Sequence, residues 1–200
     1  MYSRTPLRMV GFGVLGTLLV WCFLVLPGRM AGSIGPCLKA PHPHPAEVMV
    51  VSVEPNTQAL QLSAWIARRF RIPESRALAI TMAAFRHSRH YRINPMLVLA
   101  VIAAESSYQV HAKNEQARGL MQVVARCHPK IIHEIGGREA LFTVNANIEA
   151  GTRILSIYLR REHGNLYRAL RRYSGSISDT GYVSKVRSEM AEFGEVLNQT

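Results

Sequence analysis

Asn94-Pro95-Met96-Leu97-Val98-Leu99-Ala100-Val101-Ile102-Ala103-Ala104-Glu105-Ser106-Ser107 is the stretch on which the reading of this chain turns. Asparagine is a good N-cap and proline suits the first helical position, so a helix is predicted to start at Pro95. Nine apolar residues follow without a polar face, and a helix of that kind belongs inside a core. It ends on one carboxylate, Glu105. Burial disfavours a charged carboxyl, and the negative end of the helix dipole acts in the same direction. The expectation is a Glu105 that keeps its proton near neutral pH, as a general acid must. On this stretch alone, a helix-end glutamate turned into solvent is an equal alternative.

Outward from this helix the pattern stays helical. Leu60, Leu62, Trp65, Ile66 and Phe70 share one face of a helix from Asn56 onward, and a second helix runs from Pro73-Glu74 to about His90. Beyond the polar loop His111 to Gln116, Leu120-Met121-Gln122-Val123-Val124 is predicted to begin a short helix, interrupted by Pro129 and Gly136-Gly137. Asn145 or Asn147 is expected to cap a long helix, with Gly164 as its stop. Helices from Leu166 to Tyr173 and from Gly181 to about Phe193 complete the chain, with a serine-rich loop between them. Nothing alternates over strand length, so the fold class is mainly α. His87, His90 and His111 read as surface histidines. Arg160, Arg161, Arg168, Arg171 and Arg172 form a basic cluster, ordinarily a solvated face but one that an acidic polymer could use.

The N-terminal segment differs in kind. Arg4 and Arg8 precede 18 uncharged, mostly apolar residues from Met9 to Leu26, and Ala31-Gly32-Ser33 offers a small-residue cleavage site. A cleaved signal peptide and a retained inner-membrane anchor over residues 9–26 are both open, and each places the rest outside the cytoplasm. Pro41-His42-Pro43-His44-Pro45 reads as an extended spacer. The expected organisation is a signal or anchor over 1–35, a Pro-rich arm over 36–55 and one domain over 56–200. The net charge of +11 in 200 residues favours an anionic partner or environment. Nucleic acid is not expected, because aromatic residues do not interleave with the basic ones. The spacing of Cys37 and Cys127 fits no zinc site, so no metal is expected; whether the two form a disulfide is open.

In their order, these segments resemble the soluble lytic transglycosylase (SLT) domain, a lysozyme-like fold that cleaves peptidoglycan. The resemblance rests on Ile93-Asn94-Pro95, Glu105-Ser106, Gly119-Leu120-Met121-Gln122, Asn147-Ile148-Glu149-Ala150-Gly151 with Tyr158-Leu159, Ala169-Leu170-Arg171-Arg172-Tyr173-Ser174-Gly175, and Tyr182. It covers roughly residues 74 to 190. It implies that Glu105 is the catalytic acid and base and that Ser106, Met121, Gln122, Tyr173 and Tyr182 contact substrate. The tyrosine matched by Tyr173 has its hydroxyl near that acid. Asn147 is implied to be structural. The activity implied is cleavage of the β-1,4 bond between N-acetylmuramic acid and N-acetylglucosamine with a 1,6-anhydro product, without cofactor.

The chain departs from the family pattern in three places: a loop one residue shorter between Glu105 and Ala117 with Asn114 where serine is common, Gln116 in place of glycine, and Ser174 after Tyr173 where asparagine is usual. These departures bear on loop geometry and subsites rather than on the acid. Glycosidases commonly flank the bond with two carboxylates, and Glu115, Glu134 and Glu149 are the nearest candidates for a second one. A goose-type lysozyme hydrolysing the same bond is the alternative activity, and a non-catalytic wall-binding or assembly protein is the alternative class. The expected partners are peptidoglycan strands in the periplasm, with either wall turnover or a secretion or conjugation apparatus as the setting. Small size leans towards the apparatus.

Overall fold

The computed structural model describes residues 57–175 and 180–199. The apolar segment 9–26, the Pro-rich arm and Cys37 lie outside the described residues, and with them the cleavage, anchoring and disulfide expectations. Seven α-helices are present among the described residues: α1 (Thr57–Phe70), α2 (Glu74–Tyr91), α3 (Pro95–Ser106), α4 (Pro129–Glu134), α5 (Val144–Arg161), α6 (Leu166–Ser174) and α7 (Thr180–Asn198). None of the described helices is long and apolar enough to cross a membrane.

The core is built around α3. Its start is fixed locally: Asn94 Oδ1 accepts from Met96 N at 2.9 Å, with Pro95 at the first helical position. Leu97 to Ala103 are all buried, because α7 and α2 pack against α3 while α1 and α5 pack on α2. A helix with no polar stripe needs such cover on several sides, since each fully buried aliphatic side chain contributes about 1.5–3 kcal/mol.

The exit from α3 sets the aim of its last residues. Ser107 and Tyr108 both take left-handed backbone angles, φ 48° and 65°. Two such non-glycine residues cost about 2–4 kcal/mol. Tyr108 offsets this. Its ring is fully buried with its centroid 4.5 Å from that of Phe70, and its hydroxyl donates to Leu99 O at 3.1 Å. Burying roughly 200 Å² of tyrosine is worth about 4–5 kcal/mol, so the sharp turn is held and the end of α3 stays fixed.

The segment after the polar loop departs from expectation. Residues 120–124 do not start a helix. Ala117–Arg118 (β1) and Val123–Val124 (β2) pair antiparallel, with Ala117 opposite Val124. The turn between them needs left-handed residues, Gly119 at φ 75° and Gln122 at φ 45°, which a helix cannot accommodate. The helical pieces nearby are a 3₁₀ turn at Ala125–Cys127, the six-residue α4 and a second 3₁₀ turn at Glu139–Phe142.

Two other local expectations are corrected. The cap of α5 is Thr143, whose Oγ1 accepts from Ala146 N at 3.4 Å, rather than Asn145 or Asn147. His87 is buried, not at the surface, with Nε2 2.9 Å from Asn145 Oδ1, which also accepts from Arg86 Nη2 at 2.7 Å. Asn145 therefore ties α2 to the first turn of α5, which explains why it is not spent on capping.

Candidate active site

Asn147 joins the hairpin turn to the helical core. It is fully buried, and two polar atoms of the hairpin and one of the 3₁₀ turn at Glu139–Phe142 meet its amide. Oδ1 accepts from Met121 N at 2.8 Å, and Nδ2 donates to Arg118 O at 2.9 Å and Leu141 O at 2.7 Å. The close approach requires glycine at 119: a Cβ there would stand 2.0 Å from Asn147 Nδ2 and 2.2 Å from Leu141 O. Gln122 closes the turn from its other end. Its Nε2 donates to Gly119 O at 2.8 Å and Ala112 O at 3.0 Å.

Beside this turn opens a cavity of about 420 Å³, lined by Glu105, Asn114, Glu115, Gln122, Tyr173 and Ser174 among others. Asn114 shapes its rim by accepting from Gln116 N at 2.9 Å and Ala117 N at 2.7 Å through Oδ1, a side-chain turn of the kind asparagine favours. Gln116 is not among the residues with left-handed φ, so a non-glycine residue is accommodated there. Its Oε1 accepts from Arg126 Nη2 at 2.6 Å.

Glu105 reaches the cavity from the end of α3, and α7 supplies the groups that hold it. The Tyr182 hydroxyl donates to Glu105 Oε1 at 2.8 Å. Lys185 Nζ donates to Ala104 O at 2.8 Å, one residue before the carboxylate, where a cation also complements the helix dipole. Burial raises the Glu105 carboxyl from its ordinary 4.5 to about 7, against the opposing pull of the Tyr182 hydroxyl and the Lys185 charge. Near neutral pH this carboxyl can therefore both give and take a proton. Tyr182 is itself pushed well above the ordinary tyrosine range, first by burial and then by Glu105, so it stays a neutral donor.

The other expected site residues divide. Tyr173 lines the cavity, but its hydroxyl donates to Met121 O at 2.8 Å, so the hydrogen bond to the acid belongs to Tyr182. Burial, with Glu105 as the next cause, keeps Tyr173 protonated. Met121 does not line the groove. It is fully buried, its sulfur accepts from Thr152 Oγ1 at 3.9 Å, and a Cβ on Gly151 would stand 2.5 Å from that sulfur. Leucine-like packing beneath the turn, with its carbonyl presented to Tyr173, is what the position supplies. Ser106 turns back on its own helix, donating to Ile102 O at 3.1 Å. Lys185 went unrecognised in the sequence, since an exposed lysine on a terminal helix carries no signal of its own.

A lysozyme-like helical domain, with one partly buried acid at the end of its central helix, is the class that this fold and cavity define. Residues 82–190 match the family described as Transglycosylase SLT domain, and the chain belongs to that family. Proteins named "Membrane-bound lytic murein transglycosylase C" from Yersinia pestis and from Yersinia pseudotuberculosis serotype I (strain IP32953) are 33% identical to it over 109 residues. That alignment covers 50% of this chain and 30% of each relative, so the chain spans under a third of the length of the curated relatives it matches.

Proposed function

We propose that this protein is a peptidoglycan lytic transglycosylase acting on the β-1,4 bond between N-acetylmuramic acid and N-acetylglucosamine, with Glu105 as acid and then base. The observation that carries the reading is the Glu105 carboxyl, raised to about 7 by burial and held by Tyr182 at the edge of an open cavity. The names of its relatives support the substrate class.

In the first step Glu105 gives its proton to the glycosidic oxygen, and the bond from that oxygen to C1 of muramic acid breaks. In the second, the C6 hydroxyl oxygen of the same sugar bonds to C1 and its proton returns to Glu105. No water enters the balance, and the carboxyl ends as it began. A group with a pKa near ambient pH is the efficient choice for both transfers. Gln122 and Tyr173, whose polar ends are engaged by backbone carbonyls, form rigid walls that position a sugar instead of titrating. The setting that follows from this substrate is the periplasm. Either a cleaved signal peptide or a retained anchor over residues 9–26 would deliver the domain there, and the relatives are named as membrane-bound.

One observation favours a second reading. Glu115 stands on the same cavity, exposed, where a carboxylate could activate water as in an inverting or goose-type hydrolase. Mass spectrometry of the products separates the two. Digestion of purified sacculi is expected to release anhydro-muropeptides, each lighter by one water than the hydrolytic product. Glu105→Gln should lower the rate by roughly 10²–10⁴, whereas Glu115→Gln should leave the product identity unchanged. Reducing-end sugars from the wild type, lost in Glu115→Gln, would establish the hydrolase in its place.

A further inference from the structure

The cavity at Glu105 does not end at Tyr173. Gln122, Val124, Tyr173 and Ser174 also line a neighbouring depression of about 380 Å³, which continues past His128 and Tyr158 to Arg172. Arg172 in turn lines a third depression, about 240 Å³, with Arg168, Arg171 and Glu162. One surface path thus leads from the acid to a cluster of arginines on α6.

Charge at the far end of that path is unbalanced. Nε and Nη2 of Arg172 both donate to Glu162 Oε1, at 2.8 and 2.5 Å, so these two residues neutralise each other. Glu162 is the only carboxylate lining that depression among the described residues. Arg168 and Arg171 therefore leave about two positive charges over. The Arg171 guanidinium is pre-positioned, with its carbon 5.4 Å over the Tyr167 ring, and its Nε is buried without a protein acceptor. Arriving carboxylates would balance the surplus charge of Arg168 and Arg171 through charge-assisted bonds at the open side of the depression.

We propose that this arginine-lined end of the path binds the carboxylates of the stem peptides that peptidoglycan strands carry on muramic acid. The inference rests on the glycan reading above and adds to it a second recognition element. A strand seated at Glu105 would run its sugars along the first two depressions and lay an acidic peptide towards Arg168 and Arg171. Arginine suits this task better than lysine, because its planar fork meets a carboxylate with two parallel donors. The open, solvent-reached geometry makes the contact sensitive to salt.

The test uses the full chain on sacculi, intact or stripped of stem peptides by an amidase, with both binding by co-sedimentation and cleavage rate measured. The wild type is expected to prefer intact sacculi. Arg168→Gln/Arg171→Gln, which keeps the apolar stems of the side chains close to native, should lower that preference by on the order of tenfold, the scale of one charge-assisted contact. Raising salt should narrow it as well. A wild type with no preference, or a double variant that loses equally on both substrates, overturns the proposal. So does a variant whose preference stands while its binding to anionic phospholipid vesicles is lost, since the arginines would then serve a membrane surface. A wild type that binds intact sacculi preferentially yet cleaves neither substrate sinks the functional reading and leaves this one standing.

Discussion

Replacing Glu105 by glutamine should stabilise the protein, and by an amount that grows with pH. The carboxyl sits near 7 in the fold against 4.5 ordinarily. A raised acid favours the folded state while protonated, so its contribution is fully present below about 4.5 and is lost as pH rises to about 7. The full gap corresponds to about 3 kcal/mol. Between pH 5 and pH 8.5 the part lost is about 2 kcal/mol, after allowing for water at the open cavity mouth. Glutamine does not titrate, and other ionisable groups are common to both proteins. The stability difference between Glu105→Gln and wild type should therefore widen by about 2 kcal/mol across that interval. Urea unfolding at matched pH values reads this directly, and thermal midpoints should diverge by roughly 6–8 °C for a domain of this size. A difference that stays flat with pH would refute the reasoning, because the carboxyl would then ionise as it does in the unfolded chain.

Three further outcomes follow from the same geometry. Tyr182→Phe removes the donor that pulls the Glu105 carboxyl down, so the alkaline limb of the pH–rate profile should move up by about one pH unit, the worth of one hydrogen bond to a charged group; an unmoved limb would show that the contact does not tune the acid. Gly119→Ala places a methyl within 2.2 Å of Leu141 O and 2.0 Å of Asn147 Nδ2 at φ 75°, so unfolding stability should fall by roughly 4 kcal/mol or more, and a loss below 1 kcal/mol would mean that the turn relaxes freely. Asn147→Ala leaves one backbone N–H and two carbonyls without their buried partner, which should cost roughly 3–5 kcal/mol in denaturant titration; hydrogen exchange should locate the opening at residues 118–121 and not throughout α5.

The parts of the fold that were legible in the sequence are those set by short-range rules. The start of α3 is placed to the residue because Asn94 and Pro95 act within one turn, and Glu105 stands out as the first charge after nine apolar residues. The face of α1 with Leu62, Trp65, Ile66 and Phe70 is plain for the same reason, although Leu60, expected on it, is exposed. The hairpin was hidden because Leu120-Met121-Gln122-Val123-Val124 has helical composition, and what breaks it is a contact from Asn147, which lies on a helix far along the chain. The burial of Met121 follows from the bare backbone of Gly151, and the burial of His87 from Asn145. Pairings of this kind leave no mark on local periodicity. Tyr182 and Tyr173 were both identified, but only the packing of α7 against α3 decides which hydroxyl meets the acid.

That helix has one more implication. Tyr182 and Lys185, which between them restrain the proton affinity of Glu105, stand on residues 180–198, beyond every other part of the cavity. A chain cut before Thr180 would lose both restraints together with the buried Val183, Val186 and Phe193 that help cover α3. The C-terminal helix therefore sets the acid in two opposed ways: its packing on α3 supplies cover that raises the carboxyl, and Tyr182 and Lys185 hold that rise in check.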